Sequence, residues 1–276
     1  MPHVATVEDG REPLLSVQHV TKRFGGVVAL DGLSFTIEEG QICGLIGPNG
    51  AGKTSLFNVV SRLYVPDSGR VEFAGRNLLG VPAHGIAKAG VARTFQNLAL
   101  FPALSVVDNV MVGAHTASRS GFLSCPFRLP GVRREDRRVR ERAMEILDLL
   151  ALAPLAERPA AGLPYGTLKR IELARAVASS PRLLMLDEPA SGLTHAEVDE
   201  LAGVIRQVKA ELSLTVLLVE HHMAMVMGIS DKVVVMDFGH KIAEGTPAEV
   251  QRSPEVIHAY LGAGDHGAAA RKGQAA

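Results

Sequence analysis

The chain has 276 residues, and 47% of them are apolar, which is enough to bury a substantial core in one large domain or in one domain that carries an insertion. Lysine plus arginine number 29, as do aspartate plus glutamate. This balance gives no charge-based indication of nucleic acid as a partner. The cysteines Cys43 and Cys125 are too few for a disulfide framework, so we expect a reducing compartment and, for Cys43, a plain core thiol.

The chain begins with a polar stretch, residues 1–12, that has neither the basic start nor the apolar centre of a signal peptide. Its apolar runs, such as 214–219, have the length of strands and are far shorter than the ~20 residues of a membrane-spanning helix. We therefore expect a soluble intracellular protein with a flexible arm over 1–12.

The predicted elements alternate between strands and helices, which indicates an α/β fold. Strands are predicted where β-branched and apolar residues form short runs bounded by glycine, at 14–20, 34–38, 41–46, 71–73, 183–186, 214–219 and 232–236. Helices are predicted to begin at 53 and to extend from 194 to 212. Between about 95 and 165 the strand patterns stop, and apolar residues at helical spacing over 134–150 predict a helical insertion.

The C-terminal part contains two helix starts, in which the hydroxyl of Thr246 or Ser253 precedes a proline at the first helical position. Residues 263–276, rich in alanine and glycine, are predicted to be disordered. The charged run 133–142 has two interpretations. We favour a solvated helix face, and the other is a basic surface that faces lipid headgroups or an acidic partner loop.

A phosphate-binding loop follows the strand predicted at 41–46. Its glycines allow the tight turn that directs backbone N–H groups at phosphates, and the helix behind it presents an N-terminus that favours anions. Lys53 supplies a positive charge to the β- and γ-phosphates, and Thr54 supplies a hydroxyl ligand to Mg²⁺. A chance glycine-rich turn is the weaker interpretation, because strand and helix flank the loop as its role requires. The predicted ATP-binding residues of the loop are Gly47, Pro48, Asn49, Gly50, Ala51, Gly52, Lys53, Thr54 and Ser55.

An acidic pair ends the strand predicted at 183–186. A bare carboxylate at Asp187 would be costly at the end of a buried strand, and Mg²⁺, reached directly or through water, would offset that cost. Glu188 points to a different side of the chain, where it can polarise an attacking water as general base. The alternative, a surface acidic turn before Pro189, is weaker because a phosphate loop lies upstream.

The segment just before this strand, Leu-Pro-Tyr-Gly-Thr-Leu-Lys-Arg over 163–170, resembles the signature motif of ATP-binding cassette (ABC) ATPases. In that family the signature of one subunit closes over the nucleotide of another. The run Arg-Thr-Phe-Gln-Asn over 93–97 resembles the family's Q-loop, which implies that Gln96 contacts Mg²⁺ or water and relays the nucleotide state to a membrane subunit.

Two further positions match the family. The resemblance implies that His221 is the switch histidine that contacts the γ-phosphate, and His222, where aspartate is usual, is more simply a loop histidine. Phe24 matches the aromatic residue that stacks on adenine, although a phenylalanine there could instead anchor the core. The resemblance thus implies catalytic roles for Glu188, His221 and Gln96, and a Mg²⁺ site formed by Thr54, Gln96 and Asp187.

The pattern is most similar to the ATP-binding subunit of branched-chain amino acid importers. The tyrosine-glycine form of the signature, Ile-Ala-Glu-Gly-Thr-Pro over 242–247 and Val-Ile-His-Ala-Tyr-Leu-Gly over 256–262 carry this similarity, which covers roughly 14–262. It implies a RecA-like core with an antiparallel β subdomain and an inserted α-helical subdomain. The implied division is a core of 13–94 and 166–262, a helical subdomain of 95–165, and tails of 1–12 and 263–276.

The signature departs from the family's common Leu-Ser-Gly-Gly-Gln. Pro164 lacks the serine hydroxyl and Tyr165 replaces the first glycine, so Gly166 and Thr167 are the residues left to contact the opposing nucleotide, through backbone N–H groups of a helix starting near Thr167. Thr194 replaces the usual aspartate of the D-loop, where it also starts a capping-box sequence.

The implied function is an ATPase subunit that energises a membrane importer, with ATP and Mg²⁺ as cofactors. The implied partners are transmembrane permease subunits, a second ABC ATPase subunit and, indirectly, a solute-binding protein, at the cytoplasmic side of the inner membrane. Importers of urea, amides or aromatic acids share much of the pattern. A soluble ABC ATPase that acts on ribosomes or DNA is a rival of another class, disfavoured by the single cassette and the balanced charge.

Overall fold

The structure, a computed structural model, describes residues 12–94, 98–114 and 130–260, and for 130–133 the backbone alone. Strands and helices alternate along most of these ranges, which confirms the predicted α/β class. The strands are β1 (Leu15–Phe24), β2 (Val27–Ile37), β3 (Ile42–Ile46), β4 (Ser68–Phe73), β5 (Arg76–Asn77), β6 (Val91–Arg93), β7 (Leu183–Asp187), β8 (Thr215–Val219), β9 (Lys232–Asp237) and β10 (His240–Gly245). The α-helices are α1 (Lys53–Val60), α2 (Ile86–Ala89), α3 (Val106–Ala114), α4 (Pro130–Leu149), α5 (Tyr165–Val177), α6 (His195–Leu212), α7 (Met223–Ile229), α8 (Pro247–Arg252) and a last helix over 254–260.

The strands form two sheets. The larger has the order β10-β9-β3-β8-β7-β6, with β10 antiparallel at one edge and the other five strands parallel. The smaller sheet is antiparallel, with the order β2-β1-β4-β5. Because β3, β8 and β7 are parallel neighbours, the loops that follow them meet at one edge of the sheet.

Side chains of β3 alternate between two cores on opposite faces of the larger sheet. Ile42 and Ile46 pack into a cluster with the helices α3 to α7, whereas Cys43 and Leu45 pack into a cluster with α1 and the antiparallel sheet. Coverage of both faces explains why the parallel strands are apolar except at their ends. Burial raises the pKa of the Cys43 thiol to about 12, so the prediction of a plain core thiol is confirmed.

Each of the seven predicted strands is present, but their bounds and number differ from the prediction. β2 begins at Val27 and not at 34, because its pairing with β1 continues up to the pair of Phe24 and Val27 beside the Gly25-Gly26 turn. The strands β5, β6 and β10 were not predicted. They are short or polar and lie at sheet edges, so their pairing partners define them more than their own sequence does.

Between β6 and α5 the described residues form helices and turns, with one isolated bridge between Ser105 and Pro159. Helix α3 packs very closely on α5, since a Cβ at Gly113 would lie 1.9 Å from the carbonyl oxygen of Arg175. Helix α4 begins at Pro130, four residues before its predicted start. Its charged side chains over 134–142 are exposed or half-buried and include the pairs Arg140–Glu157 and Arg142–Glu145, which agrees with a solvated helix face.

The predicted start of α8 is confirmed, because Thr246 caps the helix in a reciprocal capping box with Glu249. Ser253 precedes the last helix, and its Oγ lies 3.5 Å from the backbone nitrogen of Val256, as expected for a capping hydroxyl. No helix within the described ranges is long and apolar enough to cross a membrane.

Candidate nucleotide site

The phosphate loop connects β3 to α1, which begins at Lys53 as predicted. At two positions of the loop only glycine fits, because a side chain would collide with neighbouring backbone and because φ is positive there. A Cβ at Gly47, which has φ +154, would lie 2.1 Å from the carbonyl oxygen of Met236. At Gly52, which has φ +99, it would lie 2.3 Å from that of Ala29. The loop is therefore held against the end of β9 and against β2 with no room for side chains at these points.

The Lys53 side chain folds back over this loop. Its Nζ donates hydrogen bonds to the carbonyl oxygens of Gly47 at 2.7 Å and Pro48 at 2.9 Å, and the residue is only 6% exposed. Burial lowers the pKa of the ammonium below its ordinary value, and the nearby charge of Glu188 acts in the opposite direction. An anion above the loop would supply the countercharge that two neutral carbonyls lack.

A cavity of about 210 Å³ lies over the loop. It brings the loop together with two side chains from distant parts of the sequence. Its lining residues are Ala29, Asn49, Gly50, Ala51, Gly52, Lys53, Thr54, Ser55, Glu188 and His221. The phosphate loop, the predicted base and the predicted switch histidine thus share one concave space.

Glu188 and His221 form a pair at the edge of this cavity. Glu188 Oε1 and His221 Nε2 are 2.7 Å apart, and since an ionised carboxylate only accepts, this contact is a hydrogen bond in the histidine tautomer that carries a proton on Nε2. Glu188 has φ +49, in the left-handed region, so the chain turns sharply after Asp187 and the two carboxylates point to different sides. The histidine that follows, His222, meets the ring of His195 edge to face at 6.5 Å and does not line the cavity.

Asp187 is only 6% exposed, and its Oδ2 accepts a hydrogen bond from Arg93 at 2.7 Å. The same guanidinium donates to Asn58 of α1 at 2.7 Å. An arginine thus offsets much of the cost of the buried carboxylate that the sequence had led us to assign to Mg²⁺ alone. The sequence contained Arg93 within the Q-loop motif, but nothing in its spacing indicated this ion pair.

The donor set near the loop suits Mg²⁺, which binds few protein oxygens and keeps water and phosphate oxygens as its other ligands. The Thr54 hydroxyl is exposed to the cavity, and the Asp187 carboxylate lies at the end of β7, which β8 separates from β3, without lining the cavity itself. Within the described residues no group of three or more acidic, histidine or cysteine side chains could hold a metal unaided. Gln96, the third predicted ligand, lies outside the described residues.

Phe24 is the last residue of β1, beside the Gly25-Gly26 turn, and is 42% exposed, so it does not anchor the core. Its ring meets Tyr64 edge to face at 5.1 Å, and Lys22 Nζ lies 5.4 Å from the ring centre. This support leaves ring surface open to solvent, as an adenine-stacking residue requires, although Phe24 does not line the phosphate cavity.

The signature residues form the first turn of α5, which begins at Tyr165 and not near Thr167 as expected. The proline at 164 explains the difference, since it ends the preceding extended segment and its carbonyl accepts the first helical hydrogen bond, from Leu168 at 3.0 Å. The N–H groups of Tyr165, Gly166 and Thr167 therefore have no acceptor within the helix. Thr167 is only 9% exposed and lines a small cavity together with Gly166 and Glu197.

The signature packs directly on the D-loop segment of the same chain. A Cβ at Gly192 would lie 3.1 Å from the Tyr165 ring, and a Cβ at Gly166 would lie 2.7 Å from Glu197 Oε1. Thr194 and Glu197 form the predicted capping box of α6, in which the Thr194 N–H donates to Glu197 at 2.9 Å. The replacement of aspartate by Thr194 thus gives this helix a cap.

Glu220 is a second residue of the site that the sequence did not indicate. It follows the apolar strand β8 directly, yet it is only 2% exposed. A carboxylate that remains buried after such a strand needs specific partners. A glutamate directly after an apolar strand is the one signal of this residue that the sequence contains.

The chain matches the family model described as "ABC transporter" over 30–191 and the model described as "Branched-chain amino acid ATP-binding cassette transporter" over 240–266. It is 44% identical over 250 residues to the high-affinity branched-chain amino acid transport ATP-binding protein BraF of Pseudomonas aeruginosa. The aligned region covers 91% of this chain and 98% of BraF. The related LivG of Salmonella typhimurium is 41% identical over 251 residues, with the same two coverages. The solved ADP conformation of MJ1267, an ATP-binding cassette of an ABC transporter, superposes with a TM-score of 0.79 at 30% identity and covers 91% of this chain and 100% of MJ1267.

The fold and the cavity define a P-loop nucleotide cassette with an additional helical segment. The chain belongs to the ABC transporter family, as an ATP-binding cassette of that family.

The pair of histidines after β8 gives a prediction that separates the two residues. His221→Ala removes the ring that lines the cavity and contacts Glu188, so we expect the rate of ATP hydrolysis to fall about 100-fold, the usual effect of removing one positioned polar group. His222→Ala keeps the backbone N–H and removes a ring outside the cavity, so its rate should remain within about twofold of the parent. Steady-state ATPase assays of both variants test this, and the reverse order of effects would move the switch role to His222.

Proposed function

We propose that the chain is the ATP-hydrolysing subunit of an importer, and that the importer's solute is a branched-chain amino acid. One observation carries the ATPase part: a single cavity contains the phosphate loop, Lys53, and the Glu188–His221 pair. The names of relatives such as BraF and LivG support the solute, which the ATP-binding subunit itself does not contact.

In this proposal the backbone N–H groups of the phosphate loop and the Lys53 ammonium bind the phosphates, and Phe24 stacks on the adenine. Thr54, Asp187 and Gln96 hold Mg²⁺, which when bound neutralises charge on the β- and γ-phosphates. Glu188 accepts the proton of the attacking water, and the ring of His221 orients that carboxylate and reaches toward the γ-phosphate. Arg93 of β6 holds the Asp187 carboxylate in place through their ion pair, and its hydrogen bond to Asn58 of α1 holds the guanidinium.

The second nucleotide contact comes from another copy or a related cassette, through the N–H groups of Gly166 and Thr167 at the start of α5. We propose that 13–94 and 166–262 act as the core and 95–165 as a helical subdomain that moves when the two subunits close. The close packing of Gly113 on Arg175 and of Tyr165 on Gly192 links the helical segment to the signature and the signature to the D-loop.

The permease contact is best placed at a groove of about 380 Å³ between α2 and β6 on one side and α3 and α5 on the other. Apolar residues such as Leu63, Ile86 and Val112 line most of it, with Glu172 and Arg175 at one side. Arg93 and Thr94 also line the groove. Because Arg93 is paired with Asp187, an occupant that contacts Arg93 would be separated from the Asp187 carboxylate by that one side chain. In this arrangement the chain is peripheral, on the cytoplasmic side of the inner membrane, and the solute-binding protein acts on the opposite side.

Lys53→Ala tests the function directly. The variant loses the charge over the β- and γ-phosphates, so we expect ATP hydrolysis and ATP-driven leucine uptake, measured in vesicles that contain the permease subunits, to fall to the level of vesicles without ATP. Arg76→Ala, which removes an exposed basic side chain of β5 away from both the cavity and the groove, is the control and should leave both rates unchanged. Normal turnover in Lys53→Ala would refute the phosphate-loop assignment, and ATP-driven uptake of urea or an aromatic acid in place of leucine would refute the solute.

A further inference from the structure

We propose that Glu220 is a positioning residue for ATP hydrolysis, which ties the loop of Glu188 to the loop of His221 through three backbone N–H groups. The inference rests on the proposed ATPase function and adds to it a residue outside the cavity. Glu220 contacts none of the reacting groups, so its effect must pass through the two residues that do.

The Glu220 carboxylate connects the two loops with both of its oxygens. Oε1 accepts from the N–H of Ala190 at 2.6 Å, and Oε2 accepts from the N–H groups of His221 at 2.8 Å and His222 at 3.2 Å. Glu220 is 2% exposed and Ala190 is fully buried, so water does not compete for the bond between them, whereas the two bonds from the histidine N–H groups are half-buried. Hydrogen bonds from N–H groups to an ionised carboxylate are stronger than neutral ones, and loss of one partner would leave a buried polar group unsatisfied.

The tied segments are those that hold the catalytic pair in place. Ala190 is two residues beyond Glu188, and His221 follows Glu220 directly. The N–H of Glu188 also donates to the carbonyl of Val219 at 2.9 Å, so the two loops already run side by side. Glu188 lies in the left-handed backbone region, which a residue with a side chain keeps only when its surroundings hold it there. The bond to Ala190 supplies such a restraint just after the turn.

The geometry requires a carboxylate at this position. A glutamine has one accepting oxygen and one NH₂ group, and that NH₂ group would face an N–H donor on one of the two loops whichever way it points. Glu220→Gln therefore releases either Ala190 or the two histidine N–H groups. Glu220→Asp keeps both oxygens but is one methylene shorter, so it cannot reach both loops at once.

The experiment compares Glu220→Gln with Glu249→Gln, a matched control in which the same change is made to a capping glutamate of α8 that also accepts a backbone N–H. We expect kcat for ATP hydrolysis to fall at least tenfold in Glu220→Gln, while KM for ATP and the Kd for ADP change less than about twofold, because the phosphate loop is untouched. The control should keep the parental kcat. In a Glu188→Gln background, Glu220→Gln should cause a smaller loss than it does in the parent, because Glu188 is one of the two residues through which its effect passes.

Hydrogen exchange measures the tie itself and does not depend on activity. In the wild-type protein the amides of Ala190, His221 and His222 should be protected, and in Glu220→Gln or Glu220→Asp, peptides over 187–194 and 219–224 should exchange faster while those over 45–56 do not change. Unprotected amides in the wild type, an unchanged kcat in Glu220→Gln, or an equal loss in Glu249→Gln would each overturn the proposal. Wild-type protein that hydrolyses no ATP would refute the proposed function instead, and the exchange result would still decide whether Glu220 ties the loops.

Discussion

Glu188→Gln is expected to bind ATP with nearly parental affinity and to hydrolyse it about 100- to 10,000-fold more slowly, the contribution typical of a positioned general base. The amide keeps the shape of the side chain and can still meet His221 Nε2, which lies 2.7 Å from the carboxylate, but it cannot take a proton from water. Lys53 and the loop glycines remain in place, so the phosphates still bind.

With binding kept and hydrolysis lost, the ATP-bound pair of subunits should accumulate. Size-exclusion chromatography with Mg-ATP should show a dimer for Glu188→Gln and mostly monomer for the parent, which turns ATP over. Glu141→Gln, at an exposed position of α4, is the matched control and should behave as the parent in both assays. A variant that stays monomeric and hydrolyses ATP at the parental rate would show that another residue is the base.

The parts of this site that the sequence predicted are those that local rules determine. A phosphate loop needs glycines at fixed positions and a helix directly behind it, so the cavity wall from Asn49 to Ser55 could be read from a few neighbouring residues. The strand ends at Asp187 and Val219 could be predicted for the same reason, because a long apolar run in a parallel sheet ends where the loop begins.

The parts that the sequence did not predict depend on residues far apart in the chain. Arg93 and Asp187 are brought together because β6 pairs with β7, and β6 is too short to be recognised alone. The Glu220 carboxylate lies beside the N–H of Ala190 because β7 and β8 are neighbours in the larger sheet, an order that sequence periodicity does not contain. Helix α5 begins two residues earlier than the family's motif indicates, because the carbonyl of Pro164 accepts the first helical hydrogen bond.

Gly166→Asp tests whether the first turn of α5 contacts the nucleotide of an opposing subunit. A carboxylate there would stand beside the γ-phosphate, and at a separation of about 4 Å and an effective dielectric constant of about 20 the repulsion is about 4 kcal/mol, or roughly a thousandfold in the affinity of closure. We expect ATP binding to the isolated monomer to survive, because the phosphate loop of the same chain is untouched. Hydrolysis and ATP-driven dimerisation should both fall sharply.

The packing of Gly166 requires a control for shape, because a Cβ at this position would lie 2.7 Å from Glu197 Oε1 and the new carboxylate would also meet a charge of its own chain. Glu197 is held in the capping box with Thr194. The hydrogen bonds from the Thr194 backbone and side chain lower the pKa of the Glu197 carboxyl, so Glu197 stays ionised. Its side chain can move only if the capping hydrogen bonds break. Gly166→Ala displaces Glu197 without adding charge, so it measures the effect of shape alone. Any further loss of dimerisation in Gly166→Asp, compared with Gly166→Ala, measures the repulsion across the interface. Pro164→Ser should keep the parental rate of ATP hydrolysis or exceed it, since it adds a hydroxyl donor at the exposed helix start.

Should Gly166→Asp hydrolyse ATP normally, with a rate per molecule that does not depend on protein concentration, the site is complete within one subunit. The signature of this chain would then have no nucleotide to bind.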